Sequence, residues 1–161
     1  MVTIVFADLV KSTELAVRQD PEQMRGLLSA FFEEMAQQIQ IFGGTVEKYA
    51  GDAIMAVFGV PRVHEDDAER AVRAAFAMQE TLAQLNPTFE QEYNIRLALR
   101  VGIATGEVVA ATQETREFMV NGEVATLAAR LQSVASGIVV SEETHRHLEP
   151  LLESKRLDRN I

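Results

Sequence analysis

Gly-Gly-Thr-Val-Glu-Lys-Tyr-Ala-Gly-Asp-Ala-Ile-Met-Ala-Val-Phe-Gly, residues 43–59, is the stretch on which the fold turns. Residues 45–49 and 53–58 are strand-like and flank Ala50-Gly51-Asp52, so the stretch reads as a hairpin with an aspartate at its turn. Just upstream, Asp20-Pro21-Glu22-Gln23 starts a helix, with Asp as N-cap, Pro in the first turn and Gln at the capping-box position. Met24, Leu27, Leu28, Phe31, Met35, Ile39 and Phe42 follow at helical spacing until Gly43-Gly44 ends the helix. Further upstream, residues 2–6 form an apolar, β-branched run that reads as a buried strand, and Ser12 or Thr13 can cap a short helix to about Arg18.

Downstream of the hairpin, Asp66 or Asp67 caps a second long helix carrying Ala71, Ala74, Ala75, Met78, Leu82 and Leu85. Ile95, Leu97, Leu99, Val101 and Ile103 alternate with other residues, which predicts a strand with one face in the core. Gly106 allows a turn into a second strand, residues 107–111; Gly122 opens a helical stretch to Leu131; residues 138–140 are a last strand. Ser141 caps a final helix, with Glu142 and Glu143 at the positive end of its dipole. The order predicts an α+β fold, a ferredoxin-like split β-α-β sheet with helices packed on one face. The length of 161 residues suits one domain, 1–161, able to bury a sizeable core.

Composition narrows the chemistry. With 47% hydrophobic and 24% charged residues, this is an ordinary globular composition. The absence of cysteine excludes disulfides, zinc–thiolate sites and thiol catalysis, and His64, His145 and His147 lack zinc-ligand spacing. No apolar stretch approaches the roughly 20 residues of a membrane span, and the N-terminus lacks the pattern of a signal peptide. The expectation is a cytoplasmic protein with no membrane partner. A net charge of −9 argues against wide contact with nucleic acid, while leaving room for a small phosphorylated ligand met through metal ions.

Two aspartates occupy comparable places, Asp8 at the end of the first strand and Asp52 in the hairpin turn. If those strand ends are neighbours, both carboxylates point at one spot, and hard oxygen ligands suit Mg²⁺. Two ions roughly 3.5–4 Å apart form the clamp used in phosphoryl transfer. The backbone N–H groups of Leu9, Val10, Lys11, Ser12 and Thr13 lead into a helix N-terminus, a seat for phosphate oxygens. From spacing alone, a strand-end cap and a turn residue explain the two aspartates equally well.

Several stretches together resemble the class III adenylyl and guanylyl cyclase catalytic domain, bacterial type. They are Val-Thr-Ile-Val-Phe-Ala-Asp-Leu-Val-Lys-Ser-Thr (2–13), the hairpin segment 43–59, His-Glu-Asp-Asp-Ala-Glu-Arg-Ala-Val-Arg-Ala-Ala (64–75), Arg-Val-Gly-Ile-Ala-Thr-Gly-Glu-Val (100–108) and Gly-Glu-Val-Ala-Thr-Leu-Ala-Ala-Arg-Leu (122–131). They occur in the family's order over nearly the whole chain, which makes them more specific than any one motif.

The resemblance implies conversion of ATP to 3′,5′-cyclic AMP and pyrophosphate, with two Mg²⁺ or Mn²⁺ ions held by Asp8, Asp52 and the carbonyl of Leu9. Lys48 matches the base-selecting lysine, whose place is usually taken by an acidic residue in guanine-specific members. Arg100 matches an arginine that contacts the triphosphate, and Arg130 one that stabilises charge on the attacked phosphate. Family members pair head to tail as homodimers, or as heterodimers with a second cyclase domain, and complete each site with Arg130 from the partner. Apolar residues on the open face of the sheet would then be interface.

Three features depart from the family pattern. Thr126 stands where an asparagine orients the ribose, and Met119 where an Asp or Thr meets the adenine amino group. The sequence ends at Ile161 before a further C-terminal strand pair that carries a phosphate-binding lysine, so it reads as a fragment of a longer multidomain protein or a shortened domain. The alternative function is therefore a catalytically degenerate domain that binds nucleotide or dimerises as a regulatory module. A diguanylate cyclase is disfavoured, because Gly43-Gly44 is followed by Thr45-Val46-Glu47 rather than an acidic pair and Phe.

Overall fold

Residues 2–9, apolar at nearly every position, form the central strand of a five-stranded sheet. The structure, a computed structural model, describes residues 1–10, 20–107 and 122–148. Strand β1 (Val2–Leu9) is followed by α1 (Pro21–Ile41), β2 (Thr45–Ala50), β3 (Ala53–Phe58), α2 (Asp67–Tyr93), β4 (Leu99–Gly106), α3 (Glu123–Val134), β5 (Ile138–Val140) and α4 (Glu142–Leu148). The strand order is β2-β3-β1-β4-β5. β1 runs antiparallel to β3 and β4, β2 antiparallel to β3, and β5 parallel to β4. Each βαβ pair is split by a strand of the other, as the order of elements predicted.

Strand alternation divides the core in two. Val5, Ala7, Leu9, Ile54, Ala56, Phe58, Val101 and Ile103 face α1, α2 and Leu148 of α4. Val2, Ile4, Met55, Val57 and Ala104 face the other way, onto Ala128 and Leu131 of α3. Three helices share one face, as expected, and α3 lies across the opposite one. Gly102 allows that approach: a Cβ there would collide with the Ala128 carbonyl and the Gln132 backbone nitrogen.

Local chemistry explains where element bounds differ from the sequence reading. β4 begins at Leu99, not Ile95, because Asn86 captures Leu97 first: its Nδ2 donates to the Leu97 carbonyl at 2.9 Å and its Oδ1 accepts from the Leu97 N–H at 2.8 Å. The second long helix runs past Leu85 and Pro87 to Tyr93, where Asn94 takes the left-handed conformation (φ 54°). Neither Asp20 nor Asp66 caps through its side chain. Asp67 instead accepts from the His64 N–H at 2.7 Å and pairs with Arg70. Ser141 does cap α4, its Oγ accepting from the Thr144 N–H at 3.2 Å. The short helix expected after Ser12 and the strand expected from residue 107 fall wholly or largely outside the described residues. No helix of the described residues is long and apolar enough to cross a membrane.

Candidate active site

Alternation along β1 places Asp8 on the α3 side of the sheet, in line with Ile4 and Phe6. In the ladders Asp8 stands opposite Arg100 of β4 and opposite Ala53 of β3, the residue that follows Asp52. Asp8, Asp52 and Arg100 therefore gather at one end of the central strands. Arg100 grips Asp8 with both prongs: Nε donates to Oδ1 at 3.0 Å and Nη2 to Oδ2 at 2.9 Å. The side chains are 32% and 14% exposed, so the pair is partly sheltered from water. Donating to Asp8 raises the Arg100 pKa above the ordinary arginine value, burial opposes it, and the charges of Asp8 and Asp52 add to the rise. Both carboxylates thus act on one cation position.

That donor set fits a divalent ion of the magnesium type, which takes one or two carboxylates and fills its remaining positions with water and phosphate oxygens. Among the described residues no group of three or more His, Cys, Asp or Glu side chains converges. The Leu9 side chain is buried in the helix-side core, which leaves only its backbone for ligating an ion.

A β-bulge decides the direction of Lys48. Val46 stands opposite Ala56 and Lys48 opposite Met55, so Glu47 is the extra residue in β2. Val46 packs against the helix-side core, and Tyr49 stacks on Phe32 of α1 with ring centroids 4.8 Å apart. Lys48 is exposed and shares a row with Met55 and Phe6 on the α3 side, the face that carries Asp8. A regular ladder would set Lys48 opposite Ile54, towards the helices.

On α3, Thr126 and Arg130 lie one turn apart and are both exposed. Among the described residues, no hydrogen bond or ion pair joins either side chain to Asp8, Asp52 or Arg100. The Val10 N–H corrects one expectation: it donates to the Ala98 carbonyl at 2.8 Å, extending the β1–β4 ladder, and is not free for a phosphate. Lys11, Ser12, Thr13 and Met119 lie outside the described residues. Sequence reasoning missed the Asp8–Arg100 pairing and the bulge, because both depend on strand register. The alternating pattern around residue 100 was the available signal for the first.

Comparison with known proteins agrees with this geometry. The family described as the adenylate and guanylate cyclase catalytic domain matches residues 1–160. The adenylyl cyclase CyaB from P. aeruginosa superposes with a TM-score of 0.84 at 30% identity, covering 93% of this chain and 81% of that one. The guanylyl cyclase Cya2 gives a TM-score of 0.83 at 32% identity, covering 91% and 77%. Adenylate cyclase 1 of Rhizobium meliloti (strain 1021) is 27% identical over 153 residues, 88% of this chain and 23% of that protein. The fold is that of a class III nucleotidyl cyclase domain. The chain belongs to the adenylate and guanylate cyclase catalytic domain family. It spans about a quarter of the length of the curated relatives it matches.

Proposed function

We propose that residues 1–161 form a domain that converts ATP to 3′,5′-cyclic AMP and pyrophosphate within a head-to-tail homodimer. The observation that carries this reading is the shared face: Asp8, Arg100 and Lys48 all lie on the α3 side of the sheet. Asp8 and Asp52, with the Leu9 carbonyl, would hold two Mg²⁺ or Mn²⁺ ions, which supply charge neutralisation and a more acidic 3′-hydroxyl when bound. Arg100 binds the triphosphate, and Lys48 donates to adenine N1. The ribose 3′-oxygen attacks the α-phosphorus, the bond to the bridging oxygen of pyrophosphate breaks, and the hydroxyl proton passes to solvent water. Arg130 of the partner subunit offsets the charge that grows on the α-phosphate. Its exposure on α3, one turn from Thr126, suits a side chain that reaches outward.

The test is incubation with ATP and Mn²⁺ or Mg²⁺, followed by assay of cyclic AMP, with a parallel GTP arm. Product above that of a control carrying Asp8→Ala and Asp52→Ala supports the reading, and none above that control overturns it. Thr126, with one hydroxyl where the family has an amide, favours a second reading as a regulatory module without turnover. Calorimetry with a non-hydrolysable ATP analogue separates a nucleotide binder from a module that only dimerises.

A further inference from the structure

The bidentate contact between Arg100 and Asp8 has a functional cost. One residue is assigned to the triphosphate and the other to a metal ion, yet in the structure they pair with each other, at 2.9 and 3.0 Å. An ionised carboxylate has about four lone-pair positions, and the guanidinium fork occupies one on each oxygen. A dication approaching the remaining positions meets a carboxylate whose charge is already neutralised and a fixed positive group a few ångströms away. With Asp8 only 14% exposed, solvent screens that repulsion poorly. Nor can the arginine lose its charge, since a guanidinium stays protonated in proteins.

We propose that Arg100 is a resident counter-ion which holds Asp8 closed to metal until a triphosphate draws the guanidinium away. Guanidinium suits phosphate as well as carboxylate, both bidentately, so the exchange costs Arg100 little geometry. Freed Asp8 then completes the cation site beside Asp52. Triphosphate and metal consequently bind as a coupled pair, each raising the affinity for the other by the same factor. The pair also keeps stray divalent ions from occupying the site without substrate. This rests on the reading of Asp8 as a metal ligand and Arg100 as a triphosphate contact.

The test uses Mn²⁺ alone, with no nucleotide, followed by the paramagnetic resonance signal of free Mn²⁺ during titration of the whole chain. Arg100→Gln removes the counter-ion and is expected to tighten Mn²⁺ binding about tenfold. Arg100→Lys keeps a charge but loses the fork, and falls between the two; it also serves if Arg100→Gln does not fold, which circular dichroism reports. Adding Asp8→Asn to either background should abolish the tight component. Unchanged or weaker Mn²⁺ binding in both Arg100 variants, with the Asp8 dependence intact, overturns the counter-ion role and leaves the metal-site reading standing. Mn²⁺ binding that ignores Asp8 in every background overturns that reading and this inference with it.

Discussion

In the proposed function, Lys48 carries the choice of base as a single side chain. An ammonium donates and an acidic group accepts, so Lys48→Glu reverses the hydrogen-bonding sense at that spot. The expected result is a fall in kcat/KM for ATP on the order of tenfold or more, with a relative gain for GTP. Equal ATP activity in the variant would remove Lys48 from base recognition. Asn86 is a second residue whose role is specific. It is buried and satisfies both backbone groups of Leu97, so Asn86→Ala leaves two polar groups unpaired next to the core. A loss of about 2 kcal/mol in chemical denaturation is expected. The types and order of Asp8, Lys48, Asp52, Arg100 and Arg130 were legible in the sequence, because motif spacing records them. The Asp8–Arg100 contact was not, since a one-residue slip between strands would have separated them.

At the scale of elements, the bulge in β2 and the glycine in β4 do the positioning. Deleting Glu47 closes the bulge but leaves Lys48 opposite Met55 and Tyr49 opposite Ile54, so both side chains keep their faces. Cyclase activity of the deletion should therefore stay close to that of Glu47→Ala, which keeps the extra backbone unit; a much larger loss in the deletion would show that the bulge sets more than the face of Lys48. Gly102→Ala drives a methyl into the backbone of α3 and should cost about 2 kcal/mol or more, read as a lowered Tm. The two long helices were plain from their apolar period, as was the alternating strand β4. The placement of α3 on the far face was not, because its buried side is small, mainly Ala128, Leu131 and Gln132, and such a stripe does not say which layer it joins.

At the scale of the whole molecule, the division of labour between subunits makes a quantitative forecast. A chain with Asp8→Ala and Asp52→Ala keeps Arg130, and a chain with Arg130→Ala keeps the aspartates. Each is inactive alone in the proposed head-to-tail dimer. Random mixing makes half the dimers mixed, each with one intact site of two, so about a quarter of wild-type activity returns. No recovery on mixing, with both chains dimeric by light scattering, rules out shared sites. The split order of the central strands followed from the sequence, since each βαβ unit leaves few alternatives.

The bulge at Glu47 also bears on colloidal behaviour. Among the described residues β2 is an outer strand, and an outer strand offers unpaired N–H and C=O groups to any passing chain. The extra residue, Glu47, breaks the regular spacing such a neighbour would need, and both it and Lys48 beside it are charged and exposed. At the other margin of the described sheet β5 is only three residues long and offers little to add to. The irregularity that turns Lys48 to the α3 side thus also makes this margin of the described sheet a poor template for a neighbouring strand.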